Sequence, residues 1–218
     1  MRSRLRLPSV RVRSWWVLAC GVATLVACVL LTTGTVLEAL VAHPDSFVFR
    51  PPVTHPQFVH SVVLPLVWVL AALGFWVGLV GLWLRDRKAY GSLRHLLAFG
   101  SVAGVGLVVL AYLGFAVNHL NELAGNVTEP ADVVSALIFV VGGAVALVGL
   151  CLYGIVLARR GPAKRVGAAL VGGFLLTAIA LSASEFATLL LALTFGALGS
   201  ALVRDPTPVP STHDEQEV

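Results

Sequence analysis

Residues 15–42 read WWVLACGVATLVACVLLTTGTVLEALVA, an apolar run whose one ionisable residue, Glu38, lies near its far end. A helix needs about 20 apolar residues to cross a hydrocarbon core about 30 Å thick. This run is long enough. It is preceded by Arg2, Arg4, Arg6, Arg11 and Arg13, and basic residues flanking a span stay on the cytoplasmic side. The pairing predicts a transmembrane helix whose N-terminus lies inside. Leu25-Val26-Ala27-Cys28 resembles the tetrad at which lipoprotein signals are cut, but the apolar run continues to Val41. A processed lipoprotein would turn polar after its cysteine, so an uncleaved first span is expected.

Five further runs follow. Spans are expected at 59–84, 93–118 and 132–157. A last apolar stretch, Val166–Val203, is too long for one span and holds Ser182, Ala183, Ser184 and Glu185 near its middle. It reads as two short helices, 166–183 and 186–203, joined by a tight turn; a re-entrant hairpin is the alternative. The expected fold is therefore all-α: a polytopic integral membrane protein, a bundle of about six transmembrane helices. A basic segment, 1–14, precedes the six-helix domain, 15–203. A disordered tail, 204–218, follows it, with three prolines and four acids and nothing to pack.

Composition agrees. Apolar residues make up 58% of the chain and charged residues 12%, against about 25% charged in a soluble domain. Of the fifteen basic residues, fourteen fall in 1–14, 85–94, 158–165 or at Arg204, and only Arg50 falls elsewhere. Both termini are therefore expected in the cytoplasm. Glu38, Asp45, Glu122, Glu129, Asp132 and Glu185 lean to the opposite ends. The net charge of +4 needs no nucleic acid, because an anionic inner leaflet accounts for basic loops between spans. The thirteen arginines against two lysines point to a GC-rich prokaryotic genome and so to the cell membrane. Trp15, Trp16 and Trp83 sit at inner span borders, as interfacial anchors do.

Catalytic motifs are missing. There is no pair of His flanking a Glu, no phosphate-binding Gly loop ending in Lys, and no Gly-x-Ser-x-Gly turn. Cys20, Cys28 and Cys151 lie in apolar runs without metal-ligand spacing and read as small hydrophobes. No ionisable residue falls in the middle of spans two to four, which speaks against a proton-coupled carrier. No enzyme activity is expected.

One constellation carries possible chemistry. His60 opens the second span and His119 follows the third, so the two imidazoles fall at similar depth on neighbouring helices. His43 and Glu122 lie at the same end. Imidazole with carboxylate suits several transition metals, and two imidazoles can also hold a haem iron. The plainer reading is interfacial histidine, with no cofactor. Gly74 and Gly78, and Gly100 and Gly104, have the spacing of helix-packing positions. Asn126-Val127-Thr128 fits the N-glycosylation pattern at Asn126.

Three functions remain. The leading one is a non-enzymatic accessory or structural subunit of a membrane complex, with the lipid bilayer and other membrane subunits or itself as partners. The second is a channel or carrier for small or apolar solutes. The third is a metal- or haem-binding protein using His60 and His119.

Overall fold

A computed structural model describes residues 9–42, 59–86, 92–124, 129–160, 164–180 and 188–205. They form α1 (Ser9–Ala42), a π-helical turn (Val59–Val63) leading into α2 (Leu64–Asp86), α3 (Ser92–Leu123), α4 (Glu129–Arg160), α5 (Lys164–Ala180) and α6 (Thr188–Arg204). Four segments are long and apolar enough to cross a membrane: Trp15–Leu40, Leu64–Asp86, Ser92–Glu122 and Pro130–Arg159. The helices α5 and α6 have 17 residues each, about 25 Å at 1.5 Å per residue.

Helix ends and apolar limits do not coincide. The first helix begins at Ser9, inside the basic segment, because Arg is a good helix former and the backbone pairs with itself whether or not lipid surrounds it. The third runs on to Leu123, so His119 and Glu122 lie on it rather than beyond it. The turn expected around Ser182–Glu185, the first outer loop with His43, the tail beyond Asp205 and Asn126 lie outside the described residues.

Each helix packs against its neighbours in chain order, and α6 returns to α1, so the six close into a ring. Neighbours run antiparallel throughout. Gly81 meets Cys20 while Gly34 meets Val67 across α1–α2; Gly149 meets Ser101 while Gly142 meets Leu107 across α3–α4. Gly21 lies at Leu202 across α1–α6, where the Thr35 and Thr188 hydroxyls share a 2.9 Å hydrogen bond near the other end. This up-and-down order follows from short connections between consecutive helices.

Close approach depends on small residues. A Cβ at Gly104 would lie 2.7 Å from Ala146 Cα, and one at Gly142 would lie 3.0 Å from the Val108 nitrogen; α3 and α4 touch backbone to backbone. Gly74 and Gly78 both pack on α1, as their spacing implied. Gly100 does not share the role of Gly104: nothing lies within 4 Å of its Cβ position. Three residues rather than four separate successive contacts there, so Ser101 faces α4 and Gly100 turns away.

The outer wall of the ring is apolar too. Leu96 is 67% exposed, Val140 65% and Leu193 71%. A helix apolar on every side belongs in lipid or in a deep core, and these faces have no protein over them. Three buried hydroxyls are satisfied within their own helices: Thr24 donates to Cys20 O (2.7 Å), Ser101 to Leu97 O (2.8 Å) and Thr194 to Leu190 O (2.7 Å). No water is needed to pair them.

The glycine contact has a directional test. Gly104→Ala is expected to cost about 1–3 kcal/mol through overpacking. Gly100→Ala, with open space around it, is expected to hold or raise stability. Thermal unfolding in mild detergent compares the two, and equal losses would contradict the contact.

Candidate functional site

The ring surrounds a cavity of about 140 Å³ whose walls come from all six helices. Leu31 comes from α1, Trp68, Ala72 and Phe75 from α2, Val105 and Tyr112 from α3, Ala146 from α4, Phe174 from α5 and Phe195 from α6. Space remains there because α2 and α4 present alanine and glycine (Ala71, Ala72, Gly143, Ala146) where larger side chains would meet.

Aromatic rings frame the cavity. Phe75 and Phe195 stack at 4.1 Å between ring centres, 13° apart, and Phe174 meets Phe195 edge-on at 5.7 Å. Phe75 stands midway along α2, so this cluster marks the middle of the bundle. On the side towards His60 and His119, Trp68 stacks on Tyr112 at 6.3 Å and Phe139 meets Tyr112 edge-on at 5.5 Å. Such pairs are worth about 0.5–1.5 kcal/mol beyond buried area. Among the described residues, no carboxylate or cation lines the cavity. The space is partly open rather than sealed, and its apolar lining suits small apolar molecules.

At one end of the bundle the structure brings His60 and His119 together. Their ring centres are 6.1 Å apart and their planes meet at 72°. The His119 Nδ1–H donates to Glu122 Oε2 (3.4 Å), three residues on along α3. Close by, Asn118 Nδ2 donates to Asp132 Oδ1 (2.8 Å), tying α3 to α4. His60 sits on the π-helical turn Val59–Val63. Pro65 explains that turn. It has no N–H to give the Ser61 carbonyl, and its ring would clash with that carbonyl in an α-helix, so the first turn widens. Of the four metal candidates, His60 and His119 face each other and Glu122 touches only His119; among the described residues no three His, Cys, Asp or Glu side chains are grouped closely enough to hold a metal ion together. No family model matches this chain, and no curated protein or solved structure matches it. What the site does has to be read from its own geometry.

The opposite end holds a feature that sequence reasoning passed over. Arg85 pairs with Asp86 through two bonds, Nε to Oδ1 at 2.6 Å and Nη2 to Oδ2 at 3.0 Å. Their side chains are 5% and 2% exposed. Neighbours in a helix do not normally face each other, which is why Arg85 reads from sequence as a loop charge. The one signal was an acid directly beside a basic residue at a span end. At the same end Trp83 Nε1 donates to His95 Nδ1 (3.4 Å), linking α2 to α3. The three cysteines are free thiols.

Removing one member of a buried ion pair takes away the closest compensation of the other charge, at a cost of up to about 3–5 kcal/mol. Asp86→Ala is expected to lower unfolding stability by that order. Adding Arg85→Leu to it should recover part of the loss. A double-mutant cycle of thermal melts reads the coupling.

Proposed function

We propose that this protein crosses the plasma membrane six times, with both termini in the cytoplasm, and that it binds a small apolar solute at the centre of its bundle as a carrier or channel for such molecules. The observation behind the solute reading is the mid-bundle cavity bounded by every helix, with apolar walls and an aromatic floor and roof. Ligand sites in helix bundles form between the helices, from apolar walls with few polar groups. Among the described lining residues, Tyr112 and Trp68 are the ones whose side chains carry a polar atom.

Six crossings are supported by the antiparallel register. From Thr188 beside Thr35 to Leu202 beside Gly21, α6 accompanies most of the apolar length of α1. Orientation is supported by charge: Arg85, Arg94, Arg159, Lys164, Arg165 and Arg204 belong to the end that also carries Trp83 and His95. Proton coupling finds no support, since the hydroxyls buried mid-bundle pair with their own backbone.

Xenon and benzene are suitable probes, because an apolar cavity of about 150 Å³ takes up either. Protein in lipid nanodiscs is expected to show one saturable xenon site by xenon NMR, lost in Ala72→Phe, which fills the cavity. Absence of a saturable site would reduce the cavity to a packing defect and leave the accessory-subunit reading in its place. A C-terminal fluorescent-protein fusion is expected to fluoresce and a C-terminal alkaline phosphatase fusion to be inactive; the reverse pair of results would invert the topology.

A further inference from the structure

We infer that His60 and His119 form a binding site for a divalent transition-metal ion at the outer end of α2 and α3, with Glu122 positioning one of the two ligands. The site is separate from the cavity, and neither reading depends on the other.

With metal-to-nitrogen bonds of about 2.0–2.1 Å, a tetrahedral ion would hold the two ring centres about 5 Å apart, and only a much wider angle at the metal would reach about 6 Å. The observed separation is 6.1 Å. The 72° between the planes is no obstacle, because an imidazole turns freely about its bond to the metal. Helix α2 packs directly against α3, and a tetrahedral site would need the two rings to close by about 1 Å.

Glu122 adds a second feature. A ligating histidine commonly gives its other N–H to a carboxylate, which fixes the tautomer and makes the ring more basic. His119 Nδ1 faces Glu122, and the neutral tautomer that donates there would present its Nε2 lone pair to an ion. The π-helical turn adds a third. Such turns are rare and concentrate at functional positions, and this one carries His60 itself. It turns the opening residues of the helix away from the direction a continuous α-helix would impose.

The chemistry selects a class of ion. Neutral imidazoles with a neighbouring carboxylate suit Zn²⁺, Co²⁺, Ni²⁺ and Cu²⁺ over Mg²⁺ or Ca²⁺. A bare ion fits better than a haem, because the Trp68–Tyr112 stack closes the α2–α3 seam about two turns below and leaves no slot for a macrocycle. Water completes the coordination of such an ion, which keeps it accessible from the outer side. One bound ion would pin the heads of α2 and α3 together on the side of the cavity where that stack forms the wall.

The test is titration of full-length protein in mild detergent, purified without a histidine tag, with Zn²⁺ followed by calorimetry and with Co²⁺ followed by visible absorption. The expected result is one saturable site per chain, with d–d bands for Co²⁺ that Zn²⁺ removes. His60→Gln and His119→Gln should each weaken binding at least tenfold, and Glu122→Gln should weaken it about tenfold. Both histidines are at the end of the bundle, and thermal melts without metal confirm that each variant folds. Lack of saturable binding, or binding unchanged in both histidine variants, would overturn the site. Equal affinity in Glu122→Gln would overturn the positioning role.

Discussion

Contact between helix backbones at small residues is the interaction on which this structure depends. Lipid tails are as apolar as leucine, so these helices gain little by hiding apolar surface from one another. What holds them is close packing. Gly104 and Gly142 let α3 and α4 meet at Ala146 and Val108, Gly74 and Gly78 seat α2 on Ala27 and Thr24, and Gly21 and Gly199 seat α1 on α6. Larger side chains such as Leu96, Val140 and Leu193 are left to the outside. Small residues mark the places where backbones meet, while Tyr153, Leu79, Leu82, Leu150, Leu170 and Leu198 fill the core between them.

The cavity is a consequence of the same rule. Closing six helices into a ring leaves an axis that small residues cannot fill. Aromatic rings from α2, α5 and α6 reach in and stack at mid-height, while Trp68 and Tyr112 line the space on one side. Between the two groups Ala72 and Ala146 stop short, and about 140 Å³ stays open. Because the buried hydroxyls already pair with the turn before them, nothing at mid-height calls for water.

Polarity is confined to the two ends, and the ends differ. One carries the buried Arg85–Asp86 pair and the Trp83–His95 bond. The other carries the histidine pair, Glu122 and the Asn118–Asp132 bond. Each set links neighbouring helices or pins a helix end, so polar groups help fix register where the apolar middle is most permissive. Fixed register at that end is also what brings the His60 and His119 rings together.

By itself the sequence determined the all-helical, membrane-embedded class, because runs of apolar residues broken by basic loops admit no other solvent than lipid. It also placed His60 and His119 at a common depth, since helices joined by a short loop must be neighbours. Local chemistry alone was enough for both. Tertiary structure decided what spacing cannot encode. Whether a glycine faces a neighbour depends on the angle at which two helices meet, which separates Gly104 from Gly100. Phe75, Phe174 and Phe195 share no sequence proximity and come together only when the ring closes. Arg85 and Asp86 read as ordinary loop charges until α2 extends far enough to carry them inside, where burial turns two adjacent residues into an ion pair.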